Sequence, residues 1–325
     1  MKKKIDPFDL DHFTPQPQLP LAVAFSGGAD STALLLACVS KWPNTAGESP
    51  RVRAIHIHHG LQAAADSFAQ HCSLICEKYG VPLHIEYAQA AHLPGESPED
   101  AARIARYKAF ARVVHDIWGG DVKSVLLGQH ADDQVETLIL ALSRGAGLPG
   151  LSSMAPHFER MGVSYFRPFL TLSAQEIRDW LQSKGVNWIE DPTNKDTQFT
   201  RNKIRADIIP ALSNAFPSFR ETFARSASHA AQAQELLDEL AAQDVLVTGA
   251  PPEIKSLQTL SRARSANLLR YWFKSLGTSA SNSQMNELLS QIERCTTRGH
   301  KIELKLGRGF VFREGTNLMW SELLQ

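Results

Sequence analysis

Cysteine and long apolar runs are both scarce in this chain. Its 325 residues include four cysteines, and such a low content in a long chain argues against a disulfide framework. No apolar stretch approaches the ~20 residues that span a bilayer. The basic start MKKKIDPFDLDHF leads into no apolar segment, so we expect no signal peptide. These absences predict a cytoplasmic protein with reduced thiols and no membrane partner.

An excess of charge of either sign is also absent. Lys and Arg together number 34, as do Asp and Glu, so the formal net charge is zero. Dedicated nucleic-acid binders are often strongly basic, and the balance therefore counts against that class. Local basic patches matter more than the sum, however, so nucleic acid is not excluded as a partner. The length favours two domains.

Apolar segments and helical periodicity alternate along the first half of the chain. Strands are predicted over 20–26, 52–58, 83–88 and 124–130, with helices over 29–40, 62–79, 98–118 and 132–144. This alternation predicts an α/β fold: a Rossmann-like parallel sheet with helices on both faces.

A change of character near residue 213 predicts a second domain. Helices are predicted over 173–185, 203–212, 218–243, 256–275 and 281–294, and strands within 300–321. We therefore expect a catalytic domain over 1–213 and a smaller, mainly helical domain with a short β segment over 214–325.

A glycine-rich turn joins the first predicted strand to the first helix: SGGADS, residues 26–31. Glycines let the backbone approach a ligand, and amides at a helix N-terminus attract anions. The turn lacks the lysine of GxxxxGK[ST] and does not fit GxGxxG. Asp30 would repel a phosphate unless Mg²⁺ lay between them. The turn therefore predicts a pyrophosphate and Mg²⁺ site, against the alternative of an ordinary capped helix start.

Two acids follow the fourth predicted strand within GQHADDQVET, residues 128–137. Asp133 and Glu136 are three residues apart and share one face of a helix. They lie at the carboxyl edge of the predicted sheet, where open α/β folds bind ligands. They predict a site for a second cation, either a metal or the ammonium of an amine substrate. The alternative is that they only complement the helix dipole.

The glycine turn resembles the PP-loop of the ATP pyrophosphatase superfamily, SGGxDS. Five more segments extend the likeness: HIHHGL (56–61), PEDAARIARY (98–107), RGAG (144–147), RPFL (167–170) and WIEDPTNKDTQFTRNKIR (188–205). Over about residues 20–205 the set resembles the tRNA(Ile)-lysidine synthetases. Some members carry a further C-terminal domain for which this chain ends too early, so the likeness is to the shorter type.

The resemblance implies a ligase that modifies tRNA with ATP and Mg²⁺. Such enzymes adenylate the wobble cytidine in the CAU anticodon of an isoleucine tRNA. Free L-lysine then attacks C2, which gives lysidine, AMP and pyrophosphate. The resemblance implies that ATP is bound by Ser26, Gly27, Gly28, Ala29, Asp30, Ser31, His56 and His130, with Asp30 on Mg²⁺.

The other implied roles concern the second substrate and the reacting phosphate. Asp133 and Glu136 would hold the lysine ammonium, and Arg103 or Arg106 would offset charge at the α-phosphate. A nearby carboxylate would take a proton from the amine, and which one stays open.

Basic residues in two segments are candidates for tRNA binding. Arg201, Asn202, Lys203 and Arg205 follow a polar loop and could contact phosphates of tRNA or of ATP, and the alternative is a solvated helix start. Arg262, Arg264 and Arg270 recur near Trp272, whose ring belongs to the core or stacks on an unpaired base. Binding by such patches would be sensitive to salt. A homodimer is a further expectation.

The cysteines, histidines and acids also bear on the alternative functions. Cys72 and Cys76, beside His71, lack the second ligand pair that a structural zinc site needs. His56, His58 and His59 are expected to end a strand at the nucleotide pocket rather than to bind metal. A tRNA thiolase typically brings CxxC pairs, which this sequence lacks. A non-catalytic binding module would not need Asp30, Asp133 and Glu136 together.

Overall fold

The computed structural model describes residues 8–58, 64–88, 98–297, 299–307 and 309–322. His59 of the histidine motif lies outside the described residues. The chain forms two compact units, Met1–Ser228 and His229–Gln325, and the boundary near 213 stays a prediction. Within the described ranges no helix combines the length and apolarity needed to cross a membrane.

The first unit is built on a six-stranded sheet in the order β3-β2-β1-β4-β6-β5. Its strands are β1 (Leu21–Ala24), β2 (Val52–His58), β3 (Leu83–Tyr87), β4 (Ser124–Leu126), β5 (His157–Arg160) and β6 (Val163–Phe166). The predicted parallel sheet is confirmed, because every neighbouring pair except β5–β6 is parallel.

Helices connect these strands and follow them. They are α1 (Ala29–Lys41), α2 (Ala64–Lys78), α3 (Pro98–Arg112), α4 (Ala131–Ser143), α5 (Leu148–Leu151), α6 (Ala174–Ser183), α7 (Thr200–Lys203), α8 (Ile209–Ala215) and α9 (Phe219–Thr248). The helix predicted over 98–118 instead changes to a π-helical turn at Val113–Ile117. A second π-helical turn, Ile204–Ile208, joins α7 to α8.

The antiparallel β5–β6 hairpin is the main element that the sequence did not predict. Met161 and Gly162 form its turn, both in the left-handed region with φ of 52° and 72°. Partly exposed residues make up β5, so it lacks the apolar run that identifies a buried strand. The strand predicted over 124–130 is also shorter than expected, since β4 ends at Leu126.

Alternate residues of β1 feed two separate apolar cores. Leu21 and Val23 pack with Leu34 of α1 and Ile177 of α6 on one face of the sheet. Ala22 packs on the other face in a cluster that includes Tyr165 of β6. This alternation follows from the two-residue period of a strand, and it confirms helices on both faces.

β1 and β4 are neighbours in the sheet. β2 and β3, which follow β1 in the chain, lie on one side of this pair, whereas β5 and β6, which follow β4, lie on the other side. This is a topological switch point, where open α/β sheets form a ligand crevice beyond the carboxyl ends of the strands. SGGADS follows β1 and GQHADDQVET follows β4. The fold therefore brings the two predicted motifs to one place, which we call the switch-point edge.

The described part of the second unit contains three further helices and a small antiparallel sheet. These are α10 (Ile254–Thr259), α11 (Arg262–Ser275), α12 (Asn282–Arg294), β7 (Glu303–Leu306), β8 (Gly309–Glu314) and β9 (Asn317–Glu322). The single helix predicted over 256–275 is wrong, because the Ser261 side chain accepts a hydrogen bond from Arg264 N and starts a new helix. Trp272 is only 6% exposed and packs in the core.

Candidate active site

The glycine turn is held closed by its two serines. Ser26 Oγ lies 3.0 Å from Ser31 Oγ, and Ser31 Oγ donates to the Gly28 carbonyl at 3.2 Å. Gly27 has a φ of +84°, which favours glycine. Gly28 caps α1, and among the described residues no side chain caps the helix there. The first N–H groups of α1 can therefore donate hydrogen bonds to an anion.

Gly128 lets the end of β4 touch the start of α1. A Cβ atom at this position would lie 2.9 Å from the Asp30 carbonyl carbon and 3.0 Å from Ser31 N. No side chain fits at such distances, so only glycine permits this approach of the two motifs.

Three side chains converge on His130 at the switch-point edge. His130 Nε2 lies 3.7 Å from Asp30 Oδ2 and 3.6 Å from Asp133 Oδ2. Its Nδ1 atom is buried without a hydrogen-bond partner in the described part of the chain, 3.9 Å from Asp132 Oδ2. The His130 amide donates to Asp133 Oδ2 at 3.0 Å, which fixes the start of α4.

Asp30 is in an environment that disfavours its charged form. Burial raises the pKa of this carboxyl group, His130 lowers it, and the neighbouring Asp133 raises it. The side chain nevertheless keeps 40% of its surface exposed. An accessible carboxylate beside a second one fits a bound cation. No group of three or more side chains that could hold a metal ion occurs in the described ranges.

Glu136 is completely buried and is neutralised by two arginines. Arg205 Nη2 lies 3.1 Å from Glu136 Oε2 and 3.0 Å from Asp133 Oδ1, and Arg201 Nη1 lies 3.5 Å from Glu136 Oε2. Burial raises the pKa of Glu136, and the hydrogen bond from Arg205 opposes that shift. The structure thus brings Arg201 and Arg205, which the sequence suggested for tRNA, to the predicted lysine-binding acids.

Asp132 is a buried residue of this site that sequence reasoning missed. Arg220 Nε donates to its Oδ1 at 2.7 Å, and Ala174 N donates to its Oδ2 at 2.8 Å. These contacts fix the first turn of α4 to α6 and to the start of α9. The adjacent pair Asp132 and Asp133 was the available signal in the sequence. Neighbouring residues of a helix face different directions, so the two aspartates would have different partners.

The remaining residues predicted for ATP have other contacts in the structure. His56 is buried, with Nδ1 2.9 Å from the Phe25 carbonyl oxygen and 3.4 Å from Cys72 Sγ, and burial lowers its pKa. Arg103 donates to Asp100 on its own helix at 3.0 Å, and both Arg103 and Arg106 are exposed. Their roles toward ATP stay predictions.

The residues predicted for tRNA differ in what they contact. Asn202 donates to the carbonyls of Thr193 and Asp196 at 2.8 and 2.9 Å, whereas Lys203 is exposed. In the second unit, Arg262 pairs with Glu293 and Arg264 pairs with the buried Asp244. Arg270 is exposed and has no ion pair within the described residues.

Two family profiles match this chain. A PP-loop domain matches residues 3–212, and a TilS substrate binding domain matches residues 253–318. These matches cover the glycine turn, the acid cluster and most of the second unit.

Curated relatives with one shared name match over most of the chain. A tRNA(Ile)-lysidine synthase of Polaromonas naphthalenivorans is 54% identical over 95% of this chain and 92% of its own length. The corresponding proteins of Pseudomonas putida and Escherichia coli O157:H7 are 47% and 42% identical over 77% and 78% of this chain. This chain spans 59% and 57% of those two relatives.

Among solved structures, a U34-tRNA thiolase from Methanococcus maripaludis with its [4Fe-4S] cluster has a TM-score of 0.52. It is 16% identical, and the match covers 64% of this chain and 70% of that protein. At this identity the likeness shows the fold of the matched part and nothing about its chemistry.

Proposed function

The chain belongs to the tRNA(Ile)-lysidine synthase family, and from that premise we propose that it uses ATP to join free lysine to C2 of the wobble cytidine in the CAU anticodon of an isoleucine tRNA. The observation that carries the proposal is the meeting of an anion site and an acid cluster at one edge. His130 lies within 4 Å of both Asp30 beside the glycine turn and Asp133 of the acid helix. Activation by ATP and capture of an amine both need such a place.

ATP is assigned to the glycine turn and the start of α1. The uncapped amides of α1 would hold the pyrophosphate group, and His56 and His130 would border the nucleotide. Asp30 would bind Mg²⁺ that the phosphates also bind, which suits a part-exposed carboxylate with few protein ligands around it. When bound, the ion neutralises the phosphate charge and so favours departure of pyrophosphate.

The lysine ammonium is assigned to Asp133 and Glu136, with different tasks. Glu136 has no exposed surface and already pairs with Arg201 and Arg205. Asp133 is half-buried and lies 3.6 Å from His130 Nε2. We infer that Asp133 contacts the ammonium directly, while Glu136 holds Arg205 in place. The ε-amine attacks only after losing its proton, and Asp30 and Asp133 are the carboxylates nearest to His130 that could accept it.

The tRNA is assigned to the basic residues of both units. Lys203 and Arg270 are exposed and are the best placed for phosphates. Arg262 and Arg264 have acidic partners, so phosphate contacts would compete with those pairs. Arg201, Asn202 and Arg205 shape the polar loop and the acid cluster beneath it. Arg103 or Arg106 would reach the α-phosphate from α3. We also propose that the protein is a homodimer in the cytoplasm. Sedimentation of the purified protein tests the homodimer through its molecular mass.

The cysteines argue against sulfur transfer as the rival reaction. All four are buried, and burial raises the pKa of Cys72 and of Cys76 to about 12. A sulfur-transferring enzyme needs an accessible thiolate or a cluster ligand set. Lysine as the nucleophile makes no such demand.

The direct test is transfer of labelled lysine to tRNA. The protein is incubated with ATP, Mg²⁺, labelled lysine and a transcript of an isoleucine tRNA with a CAU anticodon. We expect label in the tRNA, with one AMP and one pyrophosphate per lysine joined. A matched transcript with uridine at the wobble position should stay unlabelled. An unlabelled CAU transcript, or equal labelling of both transcripts, contradicts the proposal.

A further inference from the structure

Arg167 is a buried cation that the proposed reaction has not yet used. It directly follows β6, and only 8% of its surface is exposed. Its guanidinium carbon lies 4.2 Å from the centre of the Phe158 ring. Burial lowers the pKa of Arg167, and in the described part of the chain no carboxylate forms an ion pair with it. A buried guanidinium without an acidic partner is costly to fold, so its retention needs a reason.

The neutral partners of Arg167 leave some of its donors unused. Its Nε donates to Gln129 Oε1, and its Nη1 donates to the Ala155 carbonyl at 2.6 Å. A hydrogen bond also links it to the Tyr107 side chain. Guanidinium has five N–H donors, whereas these three acceptors are all uncharged. The group is therefore oriented by its surroundings but not neutralised by them.

The contacts of Arg167 lead directly to the glycine turn. Its partner Gln129 is next to Gly128, whose backbone touches the Asp30–Ser31 peptide at the start of α1. β6 is paired with β4, so the carboxyl ends of both strands lie at the same edge of the sheet. Arg167 thus borders the switch-point edge on the side opposite to β2 and β3.

The charges around Arg167 favour a phosphate over a carboxylate as its ligand. Arg103 is near enough to repel it, and Asp133 is near enough to attract it. Two neighbouring guanidinium groups suit a phosphate ligand. A phosphate carries more negative charge than a carboxylate and can accept hydrogen bonds from both groups. Asp133, in turn, is the acid assigned to the lysine ammonium.

We propose that Arg167 binds the α-phosphate of ATP and, after transfer, the phosphate of AMP. This deepens the proposed function and rests on it for the identity of the nucleotide. Arg167 supplies buried donors at the carboxyl end of β6, whereas Arg103 is exposed on α3. Because Gln129 and Tyr107 hold the guanidinium in place beforehand, little reorganisation is needed when charge develops on the phosphate.

Calorimetric titration of AMP and of adenosine tests the proposal without tRNA or lysine. Arg167→Gln should weaken AMP binding about 10- to 100-fold, as expected for lost hydrogen bonds to a charged group. Adenosine affinity should stay within about twofold, because only the phosphate is recognised. Arg167→Lys should recover part of the loss, since lysine keeps the charge without the planar fork.

Arg53→Gln is the matched control. Arg53 also lies over an aromatic ring, 5.2 Å from the centre of Trp118, but on strand β2. The AMP affinity of this control variant should equal that of the unchanged protein. The thermal melting curve of each variant shows whether it folds.

Gln129→Glu decides the matter if the Arg167 variants do not fold. This isosteric change gives Arg167 a carboxylate partner, so it should preserve or raise the melting temperature while lowering AMP affinity at least tenfold. Unchanged AMP affinity in folded Arg167→Gln or in Gln129→Glu overturns the proposal. A higher KM for lysine with unchanged AMP affinity also overturns it, in favour of the lysine carboxylate. Failure of lysine transfer would leave these binding results standing, so the two failures are distinguishable.

Discussion

At the scale of single residues, two carboxyl groups of the site differ in their surroundings and therefore in their expected roles. Glu136 is fully buried and its charge is met by Arg201 and Arg205. Asp30 is part-exposed, and burial raises its pKa although His130 opposes the shift. The first carboxylate is therefore satisfied within the protein. Asp30 would be stabilised by a cation from outside the protein, which the Mg²⁺–nucleotide complex of the proposed function would supply.

Asp30→Asn should abolish ATP consumption and yet stabilise the protein near neutral pH. The pKa of Asp30 is raised above its ordinary 3.8 by folding, so its stabilising contribution is complete below that pH and is lost as pH rises through the raised value. Asparagine does not titrate. The melting temperature of the variant should thus exceed that of the unchanged protein increasingly as pH rises from about 4.

Thermal melting over a pH series, with parallel ATP turnover and tRNA binding assays, checks this prediction. Asp116→Asn, at an exposed position, is the control and should change neither turnover nor melting. tRNA binding by Asp30→Asn should be nearly unchanged. Normal turnover in Asp30→Asn would remove Asp30 from its assigned role.

At the scale of elements, the site depends on how strand ends meet helix starts. The start of α4 is fixed by the His130–Asp133 capping contact and by the Asp132 contacts to Arg220 and Ala174. The π-helical turn Ile204–Ile208 contains Arg205, which reaches the acids of α4. π-helical turns are frequent at functional sites, because the extra residue redirects the side chains that follow.

Gly128→Ala should disturb nucleotide binding from outside the glycine turn. The added Cβ would lie 2.9 Å from the Asp30 carbonyl carbon, so α1 and β4 must move apart. We expect a loss of about 1–3 kcal/mol in the free energy of unfolding, as for other overpacked sites. ATP affinity should fall at least about tenfold, since a shift of the α1 amides weakens their bonds to phosphate.

Gly147→Ala is the control for that substitution. Its Cβ would meet nothing nearer than Pro149 Cδ at 3.8 Å, an ordinary contact. Chemical denaturation and ATP titration of both variants give the comparison. Equal behaviour of the two would show that the close approach at Gly128 does not position α1.

At the scale of the whole molecule, a chain of zero net charge carries a mainly helical second unit with recurring arginines. Two arginines of α11 are paired with acids: Arg262 with Glu293, and Arg264 with the buried Asp244. The hydrogen bond that Arg264 donates to Asp244 raises the pKa of Arg264. Sequence-independent attraction to tRNA should therefore come from exposed residues without internal partners, among which Arg270 is the clearest described case.

Arg270→Gln should weaken tRNA binding and lower its salt dependence. Losing one phosphate contact reduces the slope of log affinity against log salt by about 1. Arg262→Gln should have a smaller effect on the slope, because Glu293 already compensates that charge. Fluorescence titrations of the tRNA over a range of salt measure both slopes. An unchanged slope for Arg270→Gln would exclude a phosphate contact there.

The sequence by itself determined the fold class, the glycine turn and the acid helix. These depend on local patterns: strand and helix periods of 2 and 3.6, glycines at a strand end, and acids three apart on one face. Local patterns hold wherever the chain folds, which is why β2 was predicted to the residue, at Val52–His58. The β5–β6 hairpin was not predicted from the sequence, because β5 is half-exposed and has no such pattern.

Only the tertiary structure decided which charged residues meet. Arg205 is 69 residues from Glu136, and Arg220 is 88 residues from Asp132. Nothing local distinguishes Arg205 from the exposed Lys203 two residues before it. The order β3-β2-β1-β4-β6-β5 makes β1 and β4 neighbours, and that adjacency places Asp30, His130 and Asp133 together. Long-range pairing of charges follows from strand order and helix packing, because these set distances that sequence separation does not.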